Sequence, residues 1–313
     1  RMVGCMGKQV LVSLVQPCLQ CLFQFANSSK DIDQAVQMLN QLMVEFNTDT
    51  VPLLEVLFSH LMDRYTLLMK EVDGSIVTII GAGDVSNATA VVPAHLEAEK
   101  VALVKQYILF LQQIALCDCS SVFYSNPNHM KYFEGIFSQV YIIMSEPDLN
   151  IMNTNMAQYK LKVNNHSLIG LRKNVIGMLT GLTKAWLPEH SHIQANVTSV
   201  QMLFVFRATL FQQFVPLCVA YCYHNSPTFQ HLVRLSAQDA QSLSMVADGA
   251  GLMYAIATTA DAACSAQFQQ YVQQSLLPGL NWPVIPQKEL SDQIASIVNQ
   301  SSIVAVPPSN NAT

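Results

Sequence analysis

The chain has 313 residues, of which 51% are hydrophobic and only 12% are charged, and its formal net charge is −5. This composition excludes an intrinsically disordered chain, because such chains are poor in apolar residues and rich in charge. The acidic balance also excludes a protein whose overall field attracts nucleic acid, so any contact with RNA must depend on a local basic patch.

No targeting segment or membrane span is predicted. Polar residues and Pro17 interrupt the apolar runs near the start of the chain, and no small-residue cleavage pattern follows them. No uninterrupted apolar run reaches the roughly 18–20 residues of a membrane span. We therefore expect a soluble intracellular protein. The helical pattern is already under way at Arg1, which suggests a fragment of a longer chain.

The segment 30–71 predicts two amphipathic helices joined by a short break at 47–49. On both sides of the break, apolar residues recur at steps of three and four, the spacing of one helix face. Thr50 is placed to cap the second helix, and Pro52 fits its first turn, where a missing N–H costs nothing. Such a pair folds back as an antiparallel hairpin that cannot bury both apolar faces alone, so it requires stacked neighbours.

Two stretches lack helical periodicity and are predicted as inserted loops, at 73–93 and 149–166. The first is β-branched and contains glycines, which favours a loop with a short extended piece. Its Gly81-Ala82-Gly83 run lacks the third glycine and the following helix of a nucleotide-binding turn, so we interpret it as loop. The second insertion is rich in Asn and Met.

The remaining periodic segments predict a protein of nine to eleven helices without a sheet. We expect an all-α fold, an α-solenoid of HEAT-like antiparallel helix pairs over residues 1–300, followed by a disordered tail at 301–313. Within it, Gly177 and Gly181 would allow a neighbouring helix to approach closely. The predicted helices are 7–26 with a bend near Pro17, 94–116, 130–144, 167–186, 203–223 with a bend at Pro216, 236–259, a helix capped by Asp261 and ending near 277, and 287–298.

No catalytic, cofactor or metal site is predicted, so we expect a protein that is not an enzyme. Cys117 and Cys119 flank one residue, which we interpret as packed thiols at a helix end and not as a redox or metal element. His190 and His192 lie in a loop without a recognisable carboxylate or thiol partner. Two further cysteine pairs have helical spacing in apolar segments, where reduced cysteine packs as a small hydrophobe: Cys18/Cys21 and Cys218/Cys222.

Six cationic side chains recur in successive predicted elements and form the candidate RNA-binding set. On the inner wall of a solenoid they could follow a phosphate backbone. Alternatively they are solvated residues that keep an apolar chain soluble. RNA binding predicts them on one concave face, whereas a scaffold without RNA binding predicts scatter. They are Lys100, Lys105, Lys160, Lys162, Arg172 and Lys173.

Several segments resemble, in order, the C-terminal HEAT-type repeats of the exportin-T family, the karyopherins that export tRNA. The similarity is spread over most of residues 9–298, and no single motif carries it. The segments are VQMLNQLMVEFNTDTVPLLEVLFSHLMDR, AEKVALVKQYILFLQQIA, SEPDLN, LRKNVIGMLTGLTKAW and FRATLFQQFVPLCVAYCY.

The resemblance implies an all-helical superhelix that binds mature tRNA together with the GTP-bound form of the small GTPase Ran. Such a carrier also meets nuclear pore proteins, shuttles between nucleus and cytoplasm, and releases its cargo after GTP hydrolysis. The family's main Ran-binding repeats are N-terminal and would be missing from this stretch, which should contribute tRNA recognition and curvature. The alternative is a helical-repeat transport receptor or scaffold with a protein cargo and no RNA binding.

Overall fold

The computed structural model of the chain describes residues 15–25, 28–82, 93–145, 149–150, 160–161, 165–188, 197–222, 240–276 and 278. Over these residues the fold is all-α, apart from one two-residue antiparallel ladder. The chain divides into two compact units, Arg1–Met178 and Leu179–Thr313.

The described residues of the first unit form six helices, a short strand pair and most of a seventh helix. Short 3-10 turns at Asn47–Thr50 and Pro127–His129 join two pairs of these helices. The helices are α1 Gln16–Phe25, α2 Ser29–Phe46, α3 Val51–Ala82, α4 Ala94–Leu116, α5 Val122–Ser125, α6 Met130–Ser145 and α7 Asn165–Trp186.

Local sequence accounts for the start and the buried face of α2. Ser28 Oγ accepts a hydrogen bond from the Asp31 backbone N–H, and Asp31 Oδ2 accepts one from the Ser28 N–H. This reciprocal capping box satisfies two of the N–H groups that a helix start leaves without partners. The predicted apolar stripe is confirmed at four of its five positions, and the fifth, Phe46, is half-buried. The buried side chains are Ile32, Val36, Leu39 and Met43.

The helix α3 continues well past its predicted end, so the first predicted insertion is wrong for 73–82. Those residues are helical, including Gly81 and Ala82, while 83–92 lie outside the described residues. Val72 and Ile76 are buried on this extension. Burial of that apolar stripe outweighs the weak helix propensity of β-branched residues, which costs at most about 0.7 kcal/mol per residue.

The second predicted insertion contains the short strand pair. β1, Leu149–Asn150, pairs antiparallel with β2, Lys160–Leu161. Helix α7 then begins at Asn165, slightly before the predicted start. The other residues of this insertion lie outside the described part of the chain.

Helix α4 packs against both helices of the preceding pair. It contacts α2 and α3, and α3 also contacts α5 and the 3-10 turn that precedes α6. Where α3 packs against α5, the ring of Phe58 meets that of Phe123 edge to face, with 5.5 Å between the ring centroids. The same ring lies 4.9 Å from the His129 ring and 5.9 Å from that of Tyr132. These ring contacts join α3 to α5 and to the start of α6.

Gly177 of α7 lies against the side chain of Gln112 on α4. A Cβ at this position would meet the terminal amide of Gln112, which is the far end of a flexible side chain and can turn aside. The contact does not require a glycine, so the prediction that Gly177 allows a close helix approach stays a prediction.

In the second unit, the described residues form the end of α7 and four further helices. Trp186 is buried and meets the ring of Phe206 edge to face at 5.0 Å. The predicted cap is confirmed, because Asp261 Oδ1 accepts a hydrogen bond from the Cys264 N–H at 2.7 Å. The other carboxylate oxygen, Oδ2, accepts a hydrogen bond from Nη2 of Arg207 at 2.6 Å. The helices are α8 Val197–Thr209, α9 Val215–Cys222, α10 Ala240–Thr259 and α11 Ala262–Tyr271.

The predicted bend near Pro216 coincides with a change in helix type. Residues Leu210–Phe214 form a π-helical turn between α8 and α9. Proline lacks a backbone N–H and clashes with the preceding turn, so the regular hydrogen-bond ladder is interrupted just before it. A second π-turn, Val272–Leu276, ends α11.

Two of the predicted features fall outside the described residues, namely the helix at 287–298 and the tail at 301–313. Among the residues that are described, one helical stretch, Ser199–Val219, is long and apolar enough to cross a membrane. Core helices of soluble proteins pass the same test, and 56% of the apolar window in this stretch is buried inside the protein.

Candidate nucleic-acid interface

Lys100 lies in the core of the first unit and not on an exposed wall. Only 1% of the residue is exposed, and its Nζ forms a salt bridge with Oδ1 of Asp73 on α3. Burial lowers the pKa of the Lys100 ammonium, and the Asp73 carboxylate opposes that shift. The cation thus ties α4 to the extension of α3. Our expectation that it faces RNA is corrected, since a buried charge has no access to a phosphate.

Arg172 is also buried, with 0% of its surface exposed. Its Nε donates a hydrogen bond to the backbone carbonyl of Ile143 at 2.9 Å, which links α7 to α6. Arginine suits this position because its guanidinium is weakly hydrated and has several donors. The expectation of a phosphate contact is corrected here as well.

The other candidates differ in their accessibility. Lys105 is exposed on α4, and Lys173 is half-buried on α7. The backbone of Lys160 lies in β2, but its side chain and the whole of Lys162 lie outside the described residues. Of the six predicted cations, the described part of the chain therefore leaves two at the surface.

A groove that sequence reasoning missed lies between α1 and α3. Its volume is about 340 Å³. Because its α3 residues recur at steps of three and four, their polar character was a signal available in the sequence. The lining residues are Gln20, Phe23, His60, Asp63, Arg64 and Leu67.

One wall of this groove is tied to α6. The Tyr132 hydroxyl donates to Asp63 Oδ1 at 2.7 Å, and it also reaches the backbone carbonyl of Ser59 at 3.3 Å. Nζ of Lys131 lies 4.5 Å from the centroid of the Tyr132 ring. Oδ1 of Asp63 therefore already accepts a hydrogen bond from the Tyr132 hydroxyl. The Lys131 ammonium makes a cation–π contact with the ring of the same tyrosine.

The thiols of Cys117 and Cys119 are buried and reduced, as expected for packed thiols at a helix end. Cys119 Sγ lies 3.3 Å from the Thr50 hydroxyl and donates to the carbonyl of Asn47 at 3.2 Å. These contacts join the α2–α3 turn to the turn after α4. Two other thiols were wrongly predicted to be buried, because Cys18 and Cys21 are exposed on α1.

We expect Cys119 to resist alkylation in the folded protein. Burial raises its pKa to about 11, so the reactive thiolate is scarce at pH 8 and increases only as the pH approaches that value. Mass spectrometry after iodoacetamide treatment should show rapid modification of Cys18 and Cys21 and slow modification of Cys119. Denaturant should abolish the difference. Equal rates in the folded protein at pH 8 would contradict the buried position.

Within the described residues, no cluster of three or more His, Cys, Asp or Glu side chains could hold a metal ion. Comparison of the chain with protein-family models, with curated proteins and with solved structures found no match.

Proposed function

We propose that this chain is the C-terminal part of a nuclear export receptor that binds tRNA cooperatively with Ran-GTP and carries it from the nucleus to the cytoplasm. Nuclear pore proteins would be further partners during its shuttling. The proposal rests on the ordered resemblance to exportin-T segments and on the arrangement of the helices.

The observation that carries the proposal is the packing of α4 against the α2–α3 pair in the first unit. Contacts of α2 with α4, and of α3 with α5 and the adjoining turn, are of the kind that two consecutive hairpins of a helical-repeat array would make, and they support this proposal. An array of this kind presents successive helices along an extended wall, which suits a large, folded RNA. We therefore propose a solenoid of HEAT-like pairs as the architecture of the carrier.

Lys105 and Lys173 are the described cations best suited to contact tRNA in this proposal, and Lys160 and Lys162 remain candidates. Each phosphate contact releases counterions, so binding should weaken steeply as salt is raised. Because Lys100 and Arg172 are buried, the array would have few contacts of this kind, and the isolated chain should bind weakly.

The experiment is a filter-binding titration of labelled mature tRNA at several salt concentrations. We expect Lys105→Ala and Lys173→Ala each to weaken binding and to reduce the salt slope by about one. Lys30→Ala, which removes an exposed lysine on α2, is the matched control and should change neither quantity. Affinity that is independent of salt, or equal in all variants, would contradict this function.

Cooperativity requires a second titration with a chain that includes the preceding repeats, with and without Ran carrying a non-hydrolysable GTP analogue. Tight tRNA binding only in the presence of Ran would support the export carrier. Absence of tRNA binding under both conditions would overturn it.

A helical-repeat carrier of protein cargo is the second candidate. It is favoured by the burial of Lys100 and Arg172, which removes two of the six cations from any RNA-facing wall. The net charge of −5 points the same way. This candidate predicts no tRNA binding by any of the lysine variants or by the unmodified chain.

A further inference from the structure

Two free thiols lie one helical turn apart on the exposed side of α1. Cys18 and Cys21 are both reduced and both exposed. The other side of the helix is anchored in the core, since Leu19 and Phe23 are buried. Residues three apart on a helix share a face, so the two sulfur atoms belong to one surface site.

The helical spacing of this pair does not suit a disulfide. Side chains three apart on a helix have Cβ atoms about 5–6 Å from each other. In a disulfide the two Cβ atoms are only about 3.5–4.5 Å apart. Closing that bond would distort the turn of α1 between the two residues. The pair therefore remains a dithiol as long as α1 keeps its helical geometry.

A bridging metal ion suits the same spacing. A cysteine sulfur lies about 2.3 Å from a bound Zn²⁺ ion, and two metal–sulfur bonds of this length in line span about 4.6 Å. Each sulfur lies one bond beyond its Cβ, so the choice among staggered χ1 rotamers lets the two sulfur atoms reach that separation. An ion can therefore bridge the pair without a change in the backbone of α1.

The donor atoms select the kind of ion. Thiolate sulfur is a soft ligand, which favours Cu(I) and Zn²⁺ over hard cations such as Ca²⁺ and Mg²⁺. A structural zinc site uses four protein ligands. In the described part of the chain, no group of three or more His, Cys, Asp or Glu side chains could supply them. Because Cu(I) is stable with two collinear thiolates, the pair is sufficient for Cu(I) and incomplete for zinc.

We propose that Cys18 and Cys21 form a binding site for one Cu(I) ion on the surface of α1. Each thiol releases its proton to solvent as its sulfur binds, and the ion keeps its oxidation state, so two protons leave for each ion bound. Since protons compete with the metal, binding should tighten as the pH is raised. This site goes beyond the proposed transport of tRNA, because neither Lys105 nor Lys173 takes part in it.

The test is a competition titration of the whole 313-residue chain against bicinchoninate, a coloured Cu(I) chelator, without oxygen and with ascorbate as the reductant. We expect the chain to withdraw one Cu(I) ion, with an affinity well above that of a single thiol. Cys18→Ser and Cys21→Ser should each weaken binding by more than about a hundredfold, the upper end of the loss from removing an outer partner of a metal ligand. Since both positions are exposed, the metal-free variants should melt at the temperature of the unmodified chain.

Two further variants verify that the site uses these two thiols alone. Cys5→Ser and Cys222→Ser remove the thiols whose side chains lie outside the described part of the chain, and neither should change the affinity or the stoichiometry. Copper K-edge absorption spectroscopy should show two sulfur neighbours. The sedimentation coefficient should be the same with and without the ion, because both ligands belong to one chain.

Retention of full affinity in Cys18→Ser or Cys21→Ser would overturn the proposal, as would its loss in either control variant. A third sulfur neighbour, or a dimer that forms only with the ion, would assign the metal to a different set of ligands and would also overturn it. An affinity no greater than that of a single exposed thiol would mean an adventitious ion only.

Discussion

Replacing Asp73 by alanine should lower the free energy of unfolding of the first unit by about 3–5 kcal/mol. The carboxylate is the partner of Lys100, and both side chains are almost completely buried, at 3% and 1% exposure. Without Asp73 the lysine must either remain charged and unpaired in the core or release its proton. Urea denaturation followed by helical circular dichroism measures the loss.

The loss from Asp73→Ala should shrink as the pH is raised towards about 10, near the ordinary lysine pKa. Burial already lowers the pKa of Lys100, and removing the carboxylate takes away the effect that opposes this shift. In the variant, the folded-state pKa of Lys100 therefore falls further below that of the unfolded chain, so below about pH 10 the unfolded state binds more protons than the folded state. That proton difference costs less free energy at higher pH.

Two controls isolate the buried pair. Glu71→Ala removes an exposed carboxylate on the same helix and should change stability by no more than about 0.5 kcal/mol. The double variant Asp73→Leu with Lys100→Met replaces both charges by apolar groups, and it should recover most of the loss. A single Asp73→Ala variant as stable as Glu71→Ala would refute the buried ion pair.

Phe58→Ala should cost about 3–5 kcal/mol, the usual penalty for a large aromatic side chain removed from a core. Phe58 is 0% exposed and its ring contacts Phe123, His129 and Tyr132. The substitution opens a cavity where α3 packs against α5 and the following turn. The substitution should therefore weaken the contact of α3 with α5 and the following turn, and not only the stability of one helix.

Hydrogen exchange distinguishes that local effect from general destabilisation. In Phe58→Ala, amides of 122–137 should exchange faster than those on the face of α2 that packs on α4. Phe204→Ala is the control, because that ring is 74% exposed, and it should change the melting temperature little. A melting temperature for Phe58→Ala that matches the control would contradict the central position of this ring.

Several helix positions were predictable from an apolar stripe, although α8 begins at Val197, six residues before its predicted start at 203. The predicted span of α4 agrees with its observed bounds, and α6 differs by one residue at its end. The cap at Asp261 was also evident, since a side-chain acceptor before a helical pattern has one common role. These features depend on neighbours within a few residues, so the linear sequence contains the necessary information.

The candidate site was less predictable, because exposure depends on residues that are distant in sequence. Lys100 and Lys105 are five residues apart on one helix, yet one is buried and the other exposed. The difference in exposure comes from Asp73, which forms a salt bridge with Lys100. Asp73 can do so because α3 extends past its predicted end. The groove was missed for a similar reason, since it requires α1 to lie beside α3.

By itself, the sequence determined that this protein is helical, where most of its helices begin and end, and which faces they bury. Those properties follow from periodicity, capping and proline chemistry, which act over one or two turns. Only the tertiary structure decided which cations are buried in contacts between helices and which reach solvent. It also decided that α3 continues through β-branched residues and that a groove forms between α1 and α3. A charge is stable in the core only beside its partner, and that partner is brought near by packing between helices.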